Sequence, residues 1–175
     1  ALKNSIFYAP QLQKSVYLTG GNYASTDSTG MISVVLYPDM AFGDLNNDGV
    51  DDAAVILAEN GGGAGVFYSL VVIVSNGLEF EQIDNFYIDD RPAIESIEIK
   101  DGNILLNATV HSLTDAMVEP TFNVERTYRL LNNKLTLISQ SSVTSTGTDR
   151  YIQIDTPVEG SEVSADVEIT GSMAI

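Results

Sequence analysis

Residues 94–111 read Ile94-Glu95-Ser96-Ile97-Glu98-Ile99-Lys100-Asp101-Gly102-Asn103-Ile104-Leu105-Leu106-Asn107-Ala108-Thr109-Val110-His111. Two apolar runs flank Asp101-Gly102, and Asp-Gly between such runs is a strong signal for a tight β-hairpin. Ile94, Ile97 and Ile99 alternate imperfectly with charged neighbours, so a bulge is expected near Ser96. The same grammar continues on both sides. Phe122 to Leu131, the turn Asn132-Asn133, and Lys134 to Ser141 predict a second hairpin. Upstream, Val66 to Ser75 is apolar on both faces and predicts a central strand. Asn76-Gly77 predicts a two-residue turn into a strand from Glu79 to Ile88, which Asp89-Asp90-Arg91-Pro92 should break.

The N-terminal third follows suit. Residues 1–14 are ambiguous, with Ser5 to Tyr8 readable as a helical turn or a strand. Ser15 to Thr19 and Tyr23 to Ser25 flank Gly20-Gly21-Asn22, which predicts a hairpin. Met31 to Tyr37 predicts a strand that ends at Pro38, and Ala53 to Ala58 a buried one. No convincing helix of ten residues or more is present. The fold class expected is mainly β, an antiparallel meander forming a sandwich or a strongly curved sheet with few or no helices.

Between two of these strands lies Asp44-Leu45-Asn46-Asn47-Asp48-Gly49-Val50-Asp51-Asp52. Ca²⁺ is a hard cation that takes six to eight oxygen ligands, and a short loop supplies them when oxygen-bearing residues alternate. Asp44, Asn46 and Asp48 hold the first, third and fifth positions. Gly49 stands where the chain must turn sharply. Val50 would offer its carbonyl and Asp52 the last ligand, directly or through water. Turn-forming residues alone would have no reason to fall in this order. The bidentate Glu that closes an EF-hand is absent, since Val55 occupies its place.

The stretch Phe42 to Asp52 resembles the calcium loops of FG-GAP repeats. That resemblance implies ligation by Asp44, Asn46, Asp48, the Val50 carbonyl and Asp52. It occurs once, whereas a propeller repeats such a unit in every blade. A second resemblance lies at the C-terminal end. Ile152 to Val163 and Val167 to Gly171, with Pro157, Gly160, Val163 and Gly171, resemble the opening of bacterial immunoglobulin-like modules associated with spore germination proteins. It implies a main domain over 1–143, a Ser/Thr/Gly-rich linker over 144–150, and a truncated module start over 151–175. The alternative is that these are two final strands of the main domain. The wider pattern resembles bacterial secreted proteins or lipoproteins of uncharacterised activity.

Composition bounds the function. The 175 residues carry a formal net charge of −16 with only 8 Lys and Arg. Such a chain repels nucleic acid and anionic membrane surfaces. It has no cysteine and one histidine, which excludes disulfides, thiolate sites and a multi-histidine zinc site. The run Val66 to Val74 is too short to span a bilayer. The chain begins at Ala1, so any export signal or upstream lipid anchor is expected to have been removed.

Other chemistry is thinly supported. The glycines from Gly61 to Gly65 precede a strand and have no lysine nearby, unlike a phosphate loop. A Ser-His-Asp triad would have to use His111, and no Gly-x-Ser-x-Gly elbow exists. Asp89, Asp90 and Arg91 read as a charged turn. Tyr8, Tyr17, Tyr23 and Tyr37 could form a glycan-binding platform, or pack at sheet edges with their hydroxyls in water. The expectation is a non-enzymatic, exported Ca²⁺-binding β-domain of the bacterial cell envelope. It would act as an interaction or scaffold module toward an unknown protein or glycan. The alternatives are a carbohydrate-binding accessory module in which Ca²⁺ organises the site, and a hydrolase using carboxylates near the metal.

Overall fold

The computed structural model describes residues 1–27, 30–143, 148–156 and 168–174. A single 3₁₀ turn, Leu2–Asn4, precedes the first strand. The strands are β1 (Ile6–Ala9), β2 (Lys14–Tyr17), β3 (Asn22–Asp27), β4 (Gly30–Gly43), β5 (Asp52–Gly61), β6 (Phe67–Ser75), β7 (Phe80–Asp90), β8 (Ala93–Lys100), β9 (Asn103–Val110), β10 (Phe122–Leu131), β11 (Lys134–Val143), β12 (Asp149–Thr156) and β13 (Thr170–Ala174). The protein is a mainly β, multi-stranded antiparallel domain.

Three open sheets share these strands. β1 and β2 pair as a hairpin, β3 to β7 form a five-stranded sheet in chain order, and β8 to β13 form a six-stranded sheet in chain order. The sandwich or strongly curved sheet expected from the sequence is corrected here. No sheet closes on itself or curls strongly. The reason lies in β5, where every residue from Asp52 to Glu59 is buried. A strand buried on both faces needs a layer on each side.

Two cores supply those layers. On one face, Ala54, Ile56, Leu70, Val72 and Ile88 meet Ile104, Leu106, Ala108, Val124, Tyr128 and Leu135 of the six-stranded sheet. On the other, Val34, Leu36, Val55, Leu57, Val71 and Ile73 meet Leu2, Phe7, Ala9, Val16 and Leu18 of the N-terminal segment. The two larger sheets approach closely where β4 ends. A Cβ on Gly43 would lie 2.6 Å from Cγ2 of Ile99 on β8 and 3.2 Å from its Cβ.

Local expectations fare unevenly. The turn Asp101-Gly102 joins β8 to β9 with Lys100 opposite Asn103, and the register shifts between Ile94 and Ser96. β10 and β11 meet across Asn132-Asn133, both left-handed with φ of 50° and 62°. The two-residue turn at Asn76-Gly77 is instead a four-residue loop, because Ser75 pairs with Phe80. Asn76 Oδ1 closes it by accepting the Leu78 and Glu79 N–H groups. Pro38 does not end β4. It falls in a register shift between Leu36 and Met40, where a missing N–H costs the ladder nothing. The hairpin around Gly20-Gly21-Asn22 is also corrected. β2 pairs with β1 and β3 with β4, leaving one isolated bridge, Thr19 with Asn22.

At the C-terminal end, β12 pairs with β11 and β13 with β12. Of the residues carrying the immunoglobulin-like resemblance, Pro157, Gly160 and Val163 lie outside the described residues, as do 144–147 of the expected linker.

Candidate functional site: the Asp44–Asp52 loop and the adjoining cleft

The loop hangs between β4 and β5 and is built by its own carboxylates. Asp44 accepts the Asp48 N–H on Oδ1 at 3.2 Å and the Gly49 N–H on Oδ2 at 2.9 Å. Asn46 Oδ1 accepts the Asp48 N–H at 2.9 Å, and Asn46 Nδ2 donates to Asp48 Oδ2 at 2.8 Å. Asp48 Oδ1 accepts the Val50 N–H at 2.8 Å. These bonds curl the chain around the first, third and fifth positions. Asn47 and Gly49 adopt left-handed φ of 62° and 84°, which glycine takes without strain and asparagine tolerates.

Asp52 behaves differently. It is 1% exposed, and its two oxygens accept the Leu45 N–H at 2.9 Å and the Ser75 N–H at 3.0 Å. It ties the start of the loop to the end of β6. Asp44, Asn46 and Asp48 are therefore gathered at the loop, while Asp52 faces the interior. Among the described residues, no group of three or more His, Cys, Asp or Glu is assembled in a way that could hold a metal ion. The loop offers a mixed donor set instead: two carboxylates, one amide and the Val50 carbonyl. Each carboxylate oxygen accepting one N–H keeps a second lone pair.

Beside the loop opens a cleft of about 600 Å³. Leu45 and Asn47 form one wall, Asp101 and Gly102 of the β8–β9 turn another, and Arg129 to Asn132 of β10 and its turn the third. The sheets meet here: a Cβ on Gly102 would lie 3.9 Å from the Asp44 carbonyl oxygen. Arg129 Nε donates to Asn103 Oδ1 at 2.7 Å. Sequence reasoning missed this cleft because its walls come from three separate turns. The available signal was that all three turns are rich in Asp and Asn.

The other candidates are dispersed. His111 Nδ1 lies 2.9 Å from Asp89 Oδ2, and its backbone N–H donates to the same oxygen. His111 Nε2 is buried without a partner, while the Ser112 hydroxyl donates to Asp115 at 2.7 Å. No serine is thus paired with His111 among the described residues. Arg91 bonds Asp90 at 2.7 Å and also reaches the carbonyls of Met117 and Ala64. The four tyrosines do not share a platform. Tyr37 stacks edge-on with Tyr68 at 5.7 Å, and Tyr23 lies under the Lys14 ammonium at 5.0 Å. Tyr8 and Tyr17 are exposed on the N-terminal hairpin.

One group went unnoticed in the sequence. Glu59 on β5 is fully buried beneath the β1–β2 turn, with Oε2 accepting the Gln11 and Leu12 N–H groups at 2.9 and 3.1 Å. Its Oε1 has no partner. Burial pushes its carboxyl from 4.5 up to about 7, against the pull of the two backbone N–H donors.

No family model, curated protein or solved structure matches the chain. No helix among the described residues is long and apolar enough to cross a membrane.

Proposed function

We propose that this chain is a non-enzymatic, exported bacterial β-domain that binds one Ca²⁺ at the Asp44–Asp52 loop and serves as a cell-envelope interaction or scaffold module. One observation carries the reading. Asp44, Asn46 and Asp48 are linked side chain to backbone around a left-handed Gly49, with oxygen lone pairs to spare. Asp52 pins the loop's two ends from below, so the ion would meet a largely shaped loop. The resemblance of Phe42 to Asp52 to FG-GAP calcium loops supports the ion's identity. The immunoglobulin-like resemblance of the C-terminal residues supports the cell-envelope address.

The test is thermal unfolding after chelation, with Ca²⁺ or Mg²⁺ restored at constant ionic strength. A ligand that binds only the folded state raises its melting temperature. A rise specific to Ca²⁺ is expected, and Asp48→Ala should abolish it. A Ca²⁺-dependent rise that persists in Asp48→Ala would place the ion elsewhere. A second reading, a carbohydrate-binding accessory module organised by Ca²⁺, is favoured by the cleft that opens against the loop.

A further inference from the structure

The cleft beside the loop has the makings of a binding site on three independent counts. Its size falls within the range of about 300–1,000 Å³ typical of small-molecule sites. Its walls are fixed by the meeting of both large sheets, since the β8–β9 turn backs directly onto the Asp44 backbone. Three of its polar wall residues, Asn47, Asp101 and Asn132, hold left-handed φ of 62°, 51° and 50°. Their side chains are thus carried on tight turns of defined geometry.

The chemistry of the walls narrows the occupant. Half-buried Leu131 gives the accessible apolar surface, with buried Leu45 and Leu130 behind it. Above them stand an acceptor-only carboxylate (Asp101), a donor-only guanidinium (Arg129) and two amides that do both (Asn47 and Asn132). Hydroxyl groups, which donate and accept at once, match this mixture. A purely apolar ligand would leave the polar groups unpaired when it displaced their water. A phosphate or polyanionic ligand would face one arginine set among Asp101 and the loop carboxylates, on a chain of net charge −16.

We propose that this cleft binds a neutral saccharide, with a sugar C–H face against Leu131 and hydroxyls on Asn47, Asp101, Arg129 and Asn132. The inference rests on the calcium reading only in that the Asp44–Asp52 loop forms one wall. Ca²⁺ that orders this wall raises the saccharide's affinity, and the saccharide raises that of Ca²⁺ by the same factor.

The test uses the whole chain in Ca²⁺, titrated with neutral oligosaccharides (β-1,4-glucan, α-1,4-glucan, mannan and chitin fragments) and with oligogalacturonate as the anionic control. Binding is read by calorimetry and by amide shifts of residues 45–47, 101–103 and 129–132. One neutral series should bind and shift these amides, while oligogalacturonate does not. The variant Asn47→Gly/Asn132→Gly removes both amides and keeps the left-handed backbone free of strain. Its melting temperature should match that of the parent, and its saccharide affinity should fall about tenfold or more. Three results would overturn the inference: no neutral series binding, binding with shifts outside the cleft, or unchanged affinity in the double variant. The calcium reading is scored separately by the melting shift without sugar. A Ca²⁺ shift with no sugar binding sinks the cleft alone, and sugar binding with no Ca²⁺ shift sinks the calcium reading alone.

Discussion

The five-stranded and six-stranded sheets are built from the same chain by opposite rules. In the five-stranded sheet, β5 is buried from Asp52 to Glu59 without a break. In the six-stranded sheet, β9 alternates strictly between half-buried and buried residues from Asn103 to Val110. Polar residues therefore mean different things in the two places. Asp52, Glu59, Ser69 and Ser75 sit inside the first sheet, and Asp52 and Glu59 serve as acceptors for loop and turn N–H groups. On the second sheet, Glu95, Asn123 and Glu125 occupy a polar outer face, where Thr109 donates to Glu95 and lies 2.7 Å from Asn123 Oδ1. Buried carboxylates tie loops to the first sheet, whereas the outer face of the second carries exposed polar side chains that bond one another across the strands.

Substitutions can break this contrast, the largest effect first. Leu57→Ala empties a site in β5 that is 0% exposed. It is expected to cost about 2–5 kcal/mol, whereas Glu125→Ala on the outer face stays within about 0.5 kcal/mol. Urea unfolding of both measures the difference, and equal losses would show that the two sheets are not differently built.

The second effect depends on pH. The folded-state pKa of Glu59 lies above its ordinary value, at about 7 against 4.5. The folded state therefore holds the proton more tightly, and this contribution is complete below 4.5 and lost as pH rises through 7. The loss is on the order of a few kcal/mol. Melting temperature should fall between mildly acidic and mildly alkaline pH, more steeply in the parent than in Glu59→Gln. Parallel pH profiles would remove Glu59 as the cause.

The third probe sharpens the border between the sheets. Gly43→Ala drives a methyl into Ile99, which must shift. A destabilisation of about 1–3 kcal/mol is expected. Ile99→Val should give no relief, because it removes only Cδ1 and keeps the Cγ2 and Cβ that the new methyl would meet at 2.6 and 3.2 Å. Full rescue would mean that only the end of the Ile99 side chain sets the spacing.

The same contrast explains what the sequence made legible. β8 to β11 alternate against water, so their turns at Asp101-Gly102 and Asn132-Asn133 and the shift near Ser96 could be read directly. The double burial of β6 could also be read, because its apolar run has no polar face. What covers each face could not, since that depends on contacts between residues far apart in sequence. The turn signals at Gly20-Gly21-Asn22 marked a change of direction without saying that the flanks join different sheets. Proline at position 38 reads locally as an ending, and only the partner strand turns it into a bulge. At the candidate site, the spacing singled out Asp44, Asn46, Asp48, Val50 and Asp52 alike. The inward turn of Asp52 required knowing where Ser75 lies.

The strand order carries one more consequence. Within each of the two large sheets, every strand pairs with its immediate neighbours in the chain. Several of the connections between partners, such as those at Asp101-Gly102 and Asn132-Asn133, are two-residue turns, and closing a short loop costs little entropy. Such local topology favours fast assembly. As the chain leaves a ribosome, the five-stranded sheet has all its strands once Asp90 has emerged, before any strand of the second sheet exists. Its face around Ile56, Leu70 and Val72 would then wait uncovered until β9 and β10 arrive. That interval is when a newly made chain is most exposed to aggregation, and a chaperone would have most to shield.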